Sequence, residues 1–350
     1  MGSYNFSRLR ALVVDDDPNM RTILRMTLEA CGFKSLKVAS NGPQGYEIVQ
    51  SFRPDLVITD WEMRGGNGID LLRQVRTDPA SPDQFLPVVV LSGYAYRTSI
   101  NEARDAGATD FLVKPVSAKR VVARITGLIE NPRPFIQTPD FFGPDRRQRA
   151  DPDYDGPNNR TTAPVDAALD ELEFEAPGAD DELAFEDQPS TPKLFRPPNK
   201  LVDTLGPLDG PDPEMLLARI EAGIAGLKKK YMSWAEADLK ALYRALDAAR
   251  LHLGDAESHV RSIGETAHAM RGQAGTFGYP LITEIGNSLC GLTERARNFG
   301  AAEIEALELH VRAIHTVIEG GIEGDGGETE RVMLAGLHAV TARLEPSAKL

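Results

Sequence analysis

Several features that would place this chain in a well-known class are scarce or missing. The two cysteines, Cys31 and Cys290, are far apart, so neither a disulfide framework nor a cysteine metal site is expected. No run approaches the roughly 18 apolar residues that a membrane-spanning helix needs. No signal peptide opens the chain. We therefore expect a reduced, cytoplasmic protein that does not insert into membranes.

Positive charge is also scarce. The 39 lysines and arginines are outnumbered by 52 acidic residues, which gives a formal net charge of −13. This balance argues against nucleic acid as a general partner and against binding to anionic membranes. No helix-turn-helix with a basic recognition helix is evident, which disfavours a DNA-binding regulator. Without a glycine-rich nucleotide loop or an ATP lid motif, the chain is not expected to phosphorylate itself from ATP.

Residues 8–130 alternate two kinds of apolar pattern. Short runs rich in Val, Ile and Leu alternate with segments of helical spacing, such as the one through Met20, Ile23 and Leu24. This alternation predicts a doubly wound α/β domain with a five-stranded parallel sheet covered on both faces. The five strand-like runs are 10–15, 35–40, 54–60, 86–92 and 109–114.

Residues 131–210 change character and predict a Pro-rich acidic linker that is largely disordered. From Pro164 to Ser190 there are ten acidic residues and no Lys or Arg. Within this stretch ELEFE (171–175) and ELAFE (182–186) repeat, so an alternative is that their Leu–Phe pairs are docking motifs. FFGPDRR (141–147) is a further candidate for packing on a neighbouring domain.

Residues 211–345 carry apolar stripes at helical spacing, which predict an all-α helix bundle. Pro213 is suited to a first helical turn, and Ser233 with Glu236 forms a capping-box pattern that predicts a helix start. One later stripe runs from Val260 to Phe277 and contains His268 on a different face.

The polar residues of the first region follow the predicted strands. Asp15 and Asp16 follow the first strand, Asp60 ends the third, Ser92 ends the fourth and Lys114 ends the fifth. The carboxyl ends of strands in an open α/β sheet form the ligand crevice. Carboxylates gathered there favour a hard cation such as Mg²⁺, and the hydroxyl and ammonium groups suit a phosphoryl-sized anion.

In this order and spacing, VVDDDPNMR, VITDWEMRGGNG, VVLSGYA and FLVKP resemble the response-regulator receiver domain of two-component signalling. The resemblance covers residues 8–130 and implies a flavodoxin-like fold, with Asp60 as the phosphate acceptor. It implies that Mg²⁺ is held by Asp15, Asp16, Asp60 and the backbone carbonyl of Glu62. Ser92 and Lys114 would contact the phosphoryl group, Ser92 and Phe111 would act in the switch, and Pro115 would follow a cis peptide. Arg64 stands where the family usually has proline.

The stretch AHAMRGQAGTFG (267–278) surrounds one histidine with glycines, which cost about 1 kcal/mol each in a helix interior relative to alanine. On a helical wheel His268 points roughly 130° away from the apolar stripe, which predicts that it faces solvent. Gly272 would keep bulky side chains away from the imidazole, and Arg271 would hold an anion placed beside it. A neutral imidazole is a competent nucleophile near pH 7.

The order H-x-x-R-G-x-A-x-x-x-G, with Leu281 and Leu289 downstream, is similar to the histidine phosphotransfer (HPt) domain, a four-helix bundle with a phospho-accepting histidine. Arg271 replaces the more usual lysine of that family.

The sequence therefore predicts a receiver domain (1–130), a linker (131–210) and an HPt-like bundle (211–345). The predicted function is a phosphorelay in which Asp60 and His268 are phosphoacceptors, a phosphotransfer intermediate and not a turnover enzyme. Sensor histidine kinases, or receivers and HPt proteins, are the expected partners. In the alternative, the bundle is a protein-binding output module of a phosphorylation-switched regulator and its histidine carries no phosphate.

Overall fold

A computed structural model describes most of the chain. The described residues are 4–64, 66–93, 97–145, 193–205, 210, 213–251, 256–295 and 300–344. The repeated Leu–Phe motifs and the central part of the predicted linker, residues 146–192, lie outside the described residues.

The N-terminal region folds as predicted. Its five parallel strands form one sheet in which the second strand along the chain lies at one edge, followed by the first, third, fourth and fifth, and the connecting helices cover both faces. The three inner strands, the first, third and fourth along the chain, are almost completely buried because most of their residues are apolar, whereas the second strand lies at an edge and is largely exposed. The strands are β1 (Arg10–Val14), β2 (Ser35–Ala39), β3 (Leu56–Asp60), β4 (Val88–Ser92) and β5 (Asp110–Val113). The helices are α1 (Pro18–Cys31), α2 (Gly42–Phe52), α3 (Gly68–Thr77), α4 (Arg97–Asp105) and α5 (Ala118–Glu130).

Both ends of the predicted linker contain regular structure. Three short antiparallel strands form a second sheet, in which the strand at residues 135–138 lies between the other two. Phe85, which precedes β4, packs edge-to-face on Phe135 and Phe142, with ring centroids 5.0 Å and 5.3 Å away. The segments on either side of residues 146–192 are thus held side by side on the α/β domain. The strands are β6 (Phe135–Thr138), β7 (Phe141–Pro144) and β8 (Lys193–Phe195).

The remaining described residues are helical, as predicted. One interpretation was wrong: Ser233 does not begin a helix, because a single helix of 39 residues runs through it. Strong helix formers flank this position, and Tyr231 and Ala235 are buried on either side of it. The helices are α6 (Lys200–Leu205), α7 (Pro213–Leu251), α8 (Ala256–Ala274), α9 (Pro280–Arg295), α10 (Ala301–Glu319) and α11 (Glu328–Leu344).

The long helix α7 joins the two regions into one body. Its N-terminal half lies along α1, where Ile220 and Leu227 share a continuous hydrophobic core with Leu24 and Leu28 of α1. Arg219 of α7 donates from Nε to the carbonyl oxygen of Ala30 over 2.6 Å. Its C-terminal half packs in the bundle with α8 and α10. Among the described residues, none of the helices combines the length and apolarity that crossing a bilayer would require.

Candidate functional site

The carboxyl ends of β1, β3, β4 and β5 bring four polar side chains into one buried cluster. Asp15, Asp60, Ser92 and Lys114 are only 0%, 3%, 2% and 8% exposed. The parallel register sets Asp60 beside Leu91, and the amide of Lys114 donates to the carbonyl oxygen of Ser92 over 2.7 Å. The sheet therefore places together the residues that the sequence predicted at this edge.

Three carboxylates of the cluster suit a hard cation. Asp15, Asp16 and Asp60 each offer an oxygen, and the three oxygens lie within 4.8 Å of one another. Carboxylate oxygens are the ligands that Mg²⁺ prefers, usually with several waters kept in its shell. The side chains therefore fit a divalent cation.

Lys114 balances part of this negative charge. Its Nζ lies 2.9 Å from Asp60 Oδ1 and 3.3 Å from Asp15 Oδ2. Burial raises the pKa of Asp60 to about 7 although Lys114 opposes that shift, and burial also raises the pKa of Asp15. Burial alone would lower the pKa of Lys114, but the Asp15 and Asp60 carboxylates outweigh it and raise that pKa overall. The cluster thus holds a permanent cation beside Asp60, where a phosphoryl oxygen would need one.

The other residues implied by the receiver resemblance lie around this cluster. The Lys114–Pro115 peptide is cis, as expected. Phe111 in β5 packs partly buried on the hydrophobic core between the sheet and α2–α3. The Glu62 side chain is half exposed, and burial raises its pKa, although Arg271 opposes that shift. The guanidinium of Arg64 lies against Asp16, with Nε 2.8 Å from Oδ2.

Helix α8 covers this cluster and brings His268 to it. His268 and Gly272 of α8 and Asp15, Asp60 and Lys114 of the receiver-like domain line the same cleft, which has a volume of about 590 Å³. The His268 side chain is 29% exposed. The helical wheel correctly predicted that His268 points away from the bundle core. It was wrong about solvent, because the receiver-like domain covers the face on which His268 lies. The structure thus brings the two predicted phosphoacceptors to one cleft.

The imidazole of His268 is held by the arginine three residues later. Arg271 is 2% exposed and donates from Nη2 to His268 Nδ1 over 3.0 Å. Because a guanidinium only donates, Nδ1 accepts and the proton of the neutral ring is assigned to Nε2. Burial, Arg271 and Lys114 lower the pKa of His268 to about 3. The ring is therefore neutral at physiological pH, as a nucleophile must be.

Polar contacts along α8 hold it on the α/β domain. Gln273 donates from Nε2 to Asp17 Oδ2 over 2.6 Å, and the amide of Val116 donates to Thr276 Oγ1 over 3.2 Å. Gln273 is 1% exposed, so its amide is enclosed by the contact. Burial raises the pKa of Asp17, although the hydrogen bond from Gln273 favours the charged form. The third aspartate of the DDD run thus contacts the bundle.

The glycines near His268 are packing positions. A Cβ at Gly275 would lie 2.7 Å from Cβ and Cγ of Pro115, and one at Gly264 would lie 2.6 Å from Thr293 Oγ1 in α9. At Gly272 the nearest atom would be Cδ of Lys114 at 3.5 Å. Gly264 therefore lets α9 approach and Gly275 lets the α/β domain approach, whereas a Cβ at Gly272 would make only ordinary contact. The sequence identified the glycines but not the surfaces that they contact.

Gln273 and Thr276 were not singled out from the sequence as site residues. Gln273 reads as an ordinary polar residue near the end of a helix, and its partner Asp17 lies 256 positions away. A single sequence carries no signal for such a pairing. Arg271 also packs against Gly93 in the loop after β4. A Cβ at Gly93 would lie only 2.5 Å from Nη2 of Arg271, so this approach requires the glycine.

Comparison with known proteins assigns the N-terminal region. A family model described as the response regulator receiver domain matches residues 11–126. The chemotaxis protein CheY of Pseudomonas aeruginosa is 36% identical over 122 residues, which cover 35% of this chain and 97% of that protein. The chemotaxis protein CheY-3 of Vibrio cholerae is 34% identical over 122 residues, covering 35% of this chain and 92% of that protein.

Other similar proteins match over the same share of the chain. The DNA-binding response regulator MtrA of Mycolicibacterium smegmatis is 36% identical over 118 residues, covering 34% of this chain and 49% of that protein. The solved structure of Vibrio cholerae chemotaxis protein CheY4 has a TM-score of 0.32 at 25% identity, covering 34% of this chain and 96% of that one. The family model ends at residue 126, so it leaves the helices from α6 to α11 unassigned.

Proposed function

Because this chain belongs to the response regulator receiver family, we propose that it is a cytoplasmic two-component phosphorelay protein whose C-terminal bundle is the HPt-like partner of its own receiver domain. Asp60 is the phosphoacceptor of the receiver, and His268 is the phosphoacceptor of the bundle. The observation that carries the proposal is the single cleft that Asp60, Lys114 and His268 all line.

The transfer exchanges one bond to phosphorus for another. With phosphoryl on Asp60, a ring nitrogen of His268 attacks phosphorus, the P–O bond to Asp60 breaks, and a P–N bond forms while the carboxylate leaves. The reverse step regenerates the acyl phosphate. Transfer requires Arg271 to withdraw from Nδ1. Either Nδ1 then attacks with its freed lone pair, or Nδ1 takes up the ring proton and Nε2 attacks. A withdrawn guanidinium remains beside the phosphoryl oxygens, where it stabilises their charge.

The residues of the receiver prepare Asp60 for this step. Asp15, Asp16 and Asp60, with the backbone carbonyl of Glu62, would hold Mg²⁺, which screens the carboxylates from an incoming phosphoryl anion. Lys114 lies 2.9 Å from Asp60 and can move to a phosphoryl oxygen once the carboxylate is phosphorylated. The Ser92 hydroxyl is the proposed contact for another phosphoryl oxygen, and Ser92 and Phe111 form the proposed switch. Sensor histidine kinases or other phosphorelay proteins are the proposed upstream partners.

Labelling of the full chain tests the proposal. Acetyl phosphate should label the wild type only when Mg²⁺ is present, and the label should divide between an acyl phosphate and an acid-labile, base-stable phosphoramidate. Asp60→Asn should lose both species because His268 receives phosphoryl from Asp60. His268→Gln should keep the acyl phosphate and lose the phosphoramidate. A wild type that carries only acyl phosphate would contradict transfer and favour the bundle as a binding module.

A further inference from the structure

Arg64 bridges carboxylates that belong to different domains. Its Nε lies 2.8 Å from Asp16 Oδ2 in the receiver, and its Nη1 lies 3.3 Å from Glu265 Oε2 in α8. The backbone amide of Arg64 also points at Asp16 Oδ2, over 3.4 Å. Glu265 precedes His268 by three residues, so it lies about one helical turn away on a neighbouring face. Arg64 therefore joins the cation cluster to the helix that presents the histidine.

The Arg64 guanidinium and a divalent cation would both bind the carboxylate of Asp16. Asp16 is one of the three residues whose oxygens converge for a cation. Its Oδ2 receives both contacts from Arg64. A cation on Asp16 would bring two positive charges onto one carboxyl group, where they repel each other. Cation binding therefore competes with the Arg64–Asp16 pair.

Glu265 is a second partner with which the displaced Arg64 guanidinium can pair. Asp16 and Glu265 both raise the pKa of Arg64, because each carboxylate stabilises its charge. When the cation takes Asp16, the guanidinium loses that partner but can still pair with Glu265. An Arg64 guanidinium that is no longer shared with Asp16 would pair more strongly with Glu265 and so with α8.

We propose that Arg64 is a positioning residue that couples cation binding in the receiver to the seating of α8 over Asp60. Without the cation it is shared between Asp16 and Glu265, and with the cation it pairs with Glu265 and holds the His268 helix more firmly. The inference rests on the proposed function in one respect, because it takes Asp15, Asp16 and Asp60 as the magnesium site. It does not depend on whether His268 accepts a phosphoryl group.

Magnesium binding to the full chain tests the competition. Trp61 follows Asp60 directly and is 8% exposed, so its fluorescence reports binding in a Trp234→Phe background that leaves Trp61 as the single tryptophan. Because the Arg64 side chain is 65% exposed, its pair with Asp16 is of the weak surface kind, and Arg64→Ala should tighten Mg²⁺ binding roughly two- to fivefold. The Mg²⁺ affinity of Arg64→Lys, which keeps the charge but loses the planar guanidinium, should lie between those of the wild type and Arg64→Ala.

Arg261→Ala is the matched control for charge. Arg261 lines the same cavity and is 69% exposed, but its partner at 3.2 Å is Glu257. Its loss should leave Mg²⁺ affinity unchanged within about twofold, since a screened charge outside the cation cluster has little effect. Equal tightening by both variants, or no tightening by Arg64→Ala, would overturn the proposal.

Amide exchange tests the coupling to α8. The amide of Val116 donates to Thr276 across the domain contact, so its exchange rate reports how firmly α8 is seated. Mg²⁺ should slow this exchange in the wild type, and Glu265→Gln should abolish the slowing while keeping Mg²⁺ binding. Slowing that persists in Glu265→Gln would refute the coupling. If the wild type binds no Mg²⁺, the magnesium part of the proposed function fails with it, whereas binding without an Arg64 effect overturns this inference alone.

Discussion

The substitution Gly275→Ala should loosen the contact between the bundle and the receiver domain without harming either. The added Cβ would lie 2.7 Å from two atoms of the Pro115 ring. Carbon atoms in favourable contact are roughly 3.5–4.0 Å apart, so the surfaces must separate locally by about 1 Å. Overpacking of this kind costs about 1–3 kcal/mol. The closed arrangement should therefore lose roughly a factor of 5 to 150 in its equilibrium constant.

The matched control is Gly272→Ala, three residues earlier in the last turn of α8, which Gly275 directly follows. Its Cβ would lie 3.5 Å from Cδ of Lys114, which is ordinary contact, and alanine is the better helix former by about 1 kcal/mol. Helicity and the unfolding temperature of the helical region should stay at the wild-type level or rise. Gly272→Leu, in contrast, should weaken docking because its longer side chain must displace Lys114 or Met20.

The assay is hydrogen exchange of peptides that contain Val116, with far-UV circular dichroism as the check on folding. The Val116 amide should exchange faster in Gly275→Ala than in the wild type, and Gly272→Ala should match the wild type. If Gly275→Ala folds normally and Val116 stays as protected as in the wild type, α8 does not dock on this loop and the reasoning is refuted.

Three further changes test other parts of the structure. Replacing residues 148–190 with about eight Gly and Ser residues should preserve both domain folds and the protection of the Val116 amide, because β6 already pairs with β8. The linker must cross from β7 to β8, which is two strand spacings or roughly 10 Å, and a linker of this length averages about 15 Å between its ends. Loss of Val116 protection in that variant would show that the segment carries docking contacts. Gln273→Ala should weaken docking by about 1–3 kcal/mol, because it removes the donor to Oδ2 of the partly buried Asp17 carboxylate. Unchanged exchange at Val116 would contradict this role. Arg76→Met should lower the free energy of unfolding by about 3 kcal/mol or more. Arg76 is only 1% exposed, and its guanidinium donates to the carbonyl oxygens of Gly107, Gln84 and Leu86, which the substitution would leave without this donor. A chemical denaturation midpoint equal to that of the wild type would refute this prediction.

Local patterns were sufficient to predict the receiver fold and its cluster. Buried parallel strands read as continuous apolar runs, and their carboxyl ends must meet at one edge of the sheet. The positions of Asp15, Asp60 and Lys114 follow from the ends of those runs. Each of these inferences uses residues that are close in sequence or that a simple topology brings together.

The features that could not be predicted depend on distant partners. Ser233 has the residues of a helix cap, but packing on both sides of Tyr231 and Ala235 carries α7 through it. Phe85 and Phe142 pair across the sheet edge, which no periodicity in either segment encodes. FFGPDRR was a candidate for such packing, and its first residues do pack on the receiver domain; Arg146 and Arg147 lie outside the described residues. The docking of α8 depends on shape and polar pairing between segments more than a hundred residues apart.

The measurement that tests the central claim most directly is the rate of phosphoryl transfer from Asp60 to His268 as a function of protein concentration. Label is placed on Asp60 with acetyl phosphate and Mg²⁺, the donor is removed, and the acid-labile, base-stable fraction is followed over time. Transfer across the cleft within one chain should be first order, with a rate constant that does not change over a hundredfold dilution. A mixture of Asp60→Asn with labelled His268→Gln should transfer little under the same conditions. A rate that falls in proportion to concentration, or efficient transfer in the mixture, would contradict transfer within the chain.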